Sequence, residues 1–100
     1  MDMLMIVFRT SLQERVHELL KGCGVKAYTE FPKAAGIGQS GTTEGQWFSA
    51  GENSVILVSL ESAQRDKVGN AVKAWCAEAQ HSGWDKPAIR MFFWPCTQLT

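Results

Sequence analysis

Cysteine is scarce, and its three members, Cys23, Cys76 and Cys96, are odd in number and widely spaced. That excludes a closed disulfide framework and a C-x-x-C metal clip, and it suits a reducing cytoplasm. An excess of either charge is also lacking, because ten basic residues balance ten acidic ones. No overall field draws in a phosphate backbone or an anionic bilayer, so nucleic acid is not an expected partner. Nor does any apolar run approach the roughly 20 residues needed to cross a bilayer. The opening MDMLMIVFRT carries Asp2 before its apolar run and has no small-residue cleavage site, which reads as a strand and not a signal peptide. A soluble, cytoplasmic protein without direct membrane insertion is expected.

What is there suits a packed domain. The chain has 100 residues, of which 45% are hydrophobic and 20% charged, enough apolar material for one core and too little length for two. Residues 1–100 are therefore expected to form a single domain.

MLMIVF (3–8) is apolar throughout and too short for a helix, so it is expected to be a strand buried on both faces. In the next segment Ser11 and Glu14 have the spacing of a capping box, and Leu12, Val16, Leu19, Leu20 and Cys23 fall on one helical face that Gly22 and Gly24 close. VKAYTEF (25–31) alternates with period two, as a strand with one wetter face does, and Pro32 limits its inward extension. SVILVSL (54–60) is a β-branched strand. From 62 to about 81, Val68, Ala71, Val72, Trp75, Cys76 and Ala79 lie on one stripe, which predicts a second helix, and AIRMFFW (88–94) is a last strand before Pro95.

The order β-α-β-β-α-β predicts an α+β, ferredoxin-like domain, with an antiparallel four-stranded sheet and both helices on one face. The other face then carries apolar side chains with nothing to cover them, which predicts a homo-oligomer that meets through its sheets.

GIGQSGTTEGQWFSAGEN (36–53) places Gly36, Gly38 and Gly41 in the G-x-G-x-x-G spacing. A dinucleotide fingerprint needs a helix N-terminus after those glycines, and a strand follows here; G-K-[ST] of a Walker A loop is missing too. Two readings stay open: a long hairpin connection, or a segment that orders on a ligand or partner. Trp47 and Phe48 near its tip favour the second.

Taken together, MLMIVFR, the Gly24 turn, Thr29, GIGQSG, WFSAGENSVILV and MFFWP make nearly the whole chain resemble the P-II signal-transduction family and its short P-II-like relatives. The resemblance implies a homotrimer with its sheets facing inward, ligand clefts between subunits, and a T-loop-like segment at 36–53 that docks on a membrane transporter or an enzyme. It implies ATP or ADP as ligand, with 2-oxoglutarate and Mg²⁺ in many members. Carried over by position, Thr29, Gly36, Gly38, Gln39, Ser40 and Gly41 line the ligand and Lys86 contacts an anion, while Glu44, Trp47 and Phe48 meet the partner. No catalytic residue and no metal ligand is implied. The family's T-G-x-x-G-D-G-K loop is reduced to Gly83, Asp85 and Lys86, with Trp84 among them, and up to Thr100 there is no counterpart of the Arg-containing tail. A nucleotide, a smaller anion, another ligand or none stays open on this reading.

An alternative is a CutA-like trimer, which shares the fold order and would bind copper or zinc through Cys96 or His81. His17 has no carboxylate or cysteine at ligand spacing beside it, sits off the apolar stripe of its helix and is expected at the surface. Met1, Met3, Met5 and Met91 are expected to fill the core or an interface, and Cys23 and Cys76 to be buried and inert. A small enzyme of the acylphosphatase kind has only Arg9 beside Thr10 and Ser11 in its favour, and an RNA-recognition motif lacks its K/R-G-F/Y-x-F signature.

Overall fold

The computed structural model describes residues 1–34 and 52–100. Their elements run β1 (Asp2–Arg9), a short 3-10 turn (Thr10–Leu12), α1 (Gln13–Gly22), β2 (Thr29–Ala34), β3 (Asn53–Leu60), α2 (Ser62–His81) and β4 (Ile89–Pro95). The strands form one sheet in the order β2-β3-β1-β4, antiparallel at every junction. This is the ferredoxin-like α+β arrangement expected from the element order.

Strand alternation decides which residues meet the helices. In β1, Asp2, Leu4, Ile6 and Phe8 are buried, while Met3, Met5, Val7 and Arg9 are half-buried on the opposite face. β3 repeats the pattern with Ser54, Ile56, Val58 and Leu60 inward. Across from them pack Val16, Leu19 and Leu20 of α1 and Val68 and Val72 of α2. Fully buried aliphatic and aromatic side chains of this size contribute about 1.5–3 kcal/mol each. The strands are thus buried on one face and half-covered on the other within a protomer, not buried on both.

Ser54 is 0% exposed, and its hydroxyl is satisfied by the Thr10 hydroxyl at 2.9 Å. α1 does not start at the Ser11 capping box. Residues 10–12 wind as a 3-10 turn, and Leu12 stands at the helix cap without a side-chain hydrogen bond. The chain leaves β1 tied by Arg9 N–H to the Ala88 carbonyl and by Thr10 N–H to the Glu52 carbonyl, so the tertiary frame fixes the entry to α1 in place of a local cap.

The C-terminus of α1 follows its sequence signal. Gly24 takes φ +82°, Val25 N–H donates to the Leu20 carbonyl at 2.9 Å and Gly24 N–H to Lys21 at 3.0 Å, a Schellman closure. Val25 therefore belongs to the helix end and is buried with Leu20, and β2 starts at Thr29 instead of residue 25. β2 also runs through Pro32 to Ala34, with a register shift between Phe31 and Ala34. An edge strand tolerates this, since a missing N–H on its free side breaks no ladder bond.

Candidate functional site

Between α2 and β4 lies a groove of about 670 Å³, within the usual range of small-molecule sites. Its apolar lining comes from Val72, Ile89 and Met91, and Lys73, Gln80 and Lys86 supply polar groups; Arg90 and Phe92, whose side chains alternate onto the other sheet face, border it at the β4 edge. None of the described residues that line it is acidic. Two elements build this chemistry. α2 presents Lys73 and Gln80 two turns apart beside its apolar stripe, and the chain then closes a second Schellman turn at Gly83, φ +85°, with Trp84 N–H on the Ala79 carbonyl at 2.8 Å. That turn sends Lys86 back along the helix toward β4. The arrangement can hold an anionic group beside an apolar body, because Lys73 and Lys86 line the same groove and no described lining residue is acidic.

Of the residues expected to bind ligand, Lys86 lies in this groove. Thr29 opens β2, opposite Leu57 and exposed on the sheet face away from the helices. β2 and β4 are the two edges of the sheet, so one protomer does not bring Thr29 and Lys86 together. Gly36, Gly38, Gln39, Ser40 and Gly41, and the docking residues Glu44, Trp47 and Phe48, lie outside the described residues. Lys73 and Gln80 belong to no motif. Their seven-residue spacing flanking Val72 and Cys76 on α2 was the readable signal.

The strand that leads into the glycine-rich segment is anchored from behind. Glu30 accepts from Gln13 Nε2 on one carboxylate oxygen and pairs with His17 Nε2 on the other. The His17 ring lies 5.8 Å from that of Tyr28, whose phenol is pushed above 10.0 first by burial and second by the Glu30 charge. His17 is therefore a half-buried partner of β2 and not a free surface histidine. Its carboxylate is 13 residues away in sequence, which local spacing does not reveal.

The sheet face away from the helices carries Met3, Met5, Val7, Val55 and Leu57 with Phe31, Phe92 and Trp94 at its edges. The last three are 51%, 48% and 41% exposed, a contiguous apolar surface of the kind that marks an interface. Phe93 points the other way, and the Arg65 guanidinium lies 4.2 Å from its ring centre.

Among the described residues no three His, Cys, Asp or Glu side chains form a metal-holding group. Cys96 follows the far end of β4 and His81 closes α2 ahead of its near end, roughly 20 Å of strand apart. Cys23 is buried, whereas Cys76 is only partly buried and lines the groove. No helix among the described residues is long and apolar enough to span a membrane.

The fold is shared with solved P-II-like proteins. CPII from Thiomonas intermedia K12, bound to ADP, AMP and bicarbonate, superposes with a TM-score of 0.67 at 21% identity, over 93% of this chain and 82% of that one. A PII-like signalling protein from Thermus thermophilus gives 0.66 at 18% identity, over 93% and 82%. The apo form of CPII gives 0.55 at 16%, over 93% and 87%. No curated protein matches the sequence. Residues 1–90, however, match the family described as Nitrogen regulatory protein P-II, and the chain belongs to that family.

Proposed function

We propose that this protein is a cytoplasmic homotrimeric regulator that binds a nucleotide or a small anionic metabolite in clefts between subunits. Through residues 36–53 it then acts on a transporter or an enzyme, as a regulator and not as a catalyst. The observation that carries the reading is the α2–β4 groove, where Lys73 and Lys86 stand over an apolar floor with no acidic residue among the described lining. ADP and AMP match it in chemistry, as an anionic group on a flat apolar base, and bicarbonate matches its cations alone. CPII, which has the same fold, binds all three.

The intersubunit position draws support from geometry. A site that contains both Thr29 and Lys86 closes only between two copies, since they lie at opposite sheet edges, and the apolar face gives those copies a reason to associate. Ligand binding then regulates by population shift: it favours one arrangement of the glycine-rich segment over another, and target affinity follows.

Isothermal calorimetry with ADP, AMP and bicarbonate tests the reading. Saturable binding to the wild type is expected, weakened about tenfold or more, or about 1.4 kcal/mol, in Lys86→Ala and in Lys73→Ala. Absence of saturable binding by all three ligands, or full binding by the double variant, refutes it.

A further inference from the structure

We infer a soft-metal site for Cu(I) at the end of the β1–β4 ladder, formed by the thioethers of Met1 and Met3 and the thiol of Cys96 on the sheet face away from the helices. The register places these three residues side by side at the end of the ladder. β1 pairs with β4 so that Met3 faces Trp94 and Asp2 faces Pro95, and Cys96 N–H donates to the Met1 carbonyl at 3.0 Å, which continues the ladder by one step. Alternation sends Asp2 toward the helices, where it is buried. Met1 and Cys96 therefore take the opposite face, directly across from each other, with Met3 two residues further along, about 6.6 Å by strand rise.

Cross-strand partners lie within about 4.5–5.5 Å at Cα, and a methionine side chain has three rotatable bonds with which to turn its sulfur inward. Met1 is 43% exposed and Cys96 is partly buried, so an ion reaches the sulfurs from the end of the sheet. Met5, the next thioether on this face, faces Phe92 and extends the sulfur row toward the sheet centre.

The donor set selects the ion. Two neutral thioethers and one thiolate suit a soft monovalent cation, and there is no carboxylate or imidazole set here of the kind a harder divalent ion prefers. On binding, the Cys96 thiol releases its proton to solvent and the sulfur donates its lone pair to the metal; no electron is transferred, because the ion enters as Cu(I). Trp94, the cross-strand partner of Met3 on the same face, is the apolar neighbour of the site. Its donors come from one protomer, at the end of the sheet face proposed for association, and lie away from Lys73 and Lys86, so the site stands or falls independently of nucleotide binding.

Anaerobic competition titration of the full chain with Cu(I) against a chromogenic chelator is the test. One Cu(I) per protomer is expected, with affinity lowered at least tenfold in Met3→Leu and in Cys96→Ser, unchanged in Met91→Leu, whose thioether lies on the helix side of β4, and undisturbed by equimolar Zn(II). The volume-conserving Met3→Leu keeps the fold, as its circular dichroism confirms, so its loss of affinity reports a ligand. The proposal is overturned if Cu(I) fails to bind, if Met3→Leu and Cys96→Ser both bind as the wild type does, if Met91→Leu is equally impaired, or if Zn(II) displaces the ion.

Discussion

Arg65 Nη1 donates to Asp2 Oδ2 at 2.7 Å, joining the start of α2 to the first residue of β1. Asp2 is only 6% exposed, and Arg65 holds it while its own guanidinium also binds the exposed Asp66 and covers Phe93. A buried carboxylate with one strong partner is costly to leave unpaired, whereas an exposed carboxylate contributes little. Arg65→Met is expected to lower Tm by several degrees and Asp66→Asn to leave it nearly unchanged, by thermal denaturation at neutral pH. Equal effects from the two variants contradict this account.

Two neighbouring glycines should respond with opposite signs. Gly24 sits at φ +82°, and a Cβ there meets only Gln64 Nε2 at an ordinary 3.5 Å, so Gly24→Ala suffers from backbone strain, about 1–2 kcal/mol. Gly22 is helical with nothing within 4 Å of an added Cβ, and Gly22→Ala should gain about 0.5–1 kcal/mol. Denaturant midpoints at unchanged m-value separate the two.

Tyr28 is the protein's one tyrosine, so alkaline titration of phenolate absorbance reads it alone. Its midpoint is expected above 10.0, because burial and then the Glu30 charge disfavour the phenolate. Glu30→Gln should lower it only in part, since burial is the larger cause. The stability that the neutral phenol contributes is fully present below pH 10.0 and is lost as pH rises through the folded midpoint. A midpoint at or below 10.0 in the folded wild type rejects the packing described for the start of β2.

Adjacent aromatics on β4 should differ in their effect on assembly. Phe92 and Phe93 are similarly exposed, 48% and 55%, but Phe92 pairs with Met5 on the open sheet face and Phe93 with Leu4 on the helix face. Light scattering is expected to show that Phe92→Glu dissociates the oligomer and Phe93→Glu does not. If the wild type is monomeric, the trimeric part of the proposed function fails.

The glycine pair and the β4 aromatics show where sequence reading succeeds. Gly24 ends α1 as its position beside an apolar stripe foretells, and alternation assigns Phe92 and Trp94 to one face, because both signals are local in the chain. The capping box at Ser11 failed for a tertiary reason: backbone bonds from Arg9 and Thr10 to Ala88 and Glu52 set the turn before α1. The start of β2 shifted because Val25 has more to gain by burial against Leu20 than by extending an edge strand. Thr29 and Lys86 carry no local signal that they occupy opposite sheet edges.

By itself the sequence determined the element order, the inward stripes of both helices, and hence the α+β class and the family resemblance, since periodicity and turn residues act over a few positions. Only the tertiary structure decided that Asp2 meets Arg65, that Glu30 meets His17, that Lys73 and Lys86 share a groove, and that Cys96 faces Met1. Each of those pairs joins separate elements through strand register and helix docking, and register is fixed by the burial of a whole face at once and not by the residues that it brings together.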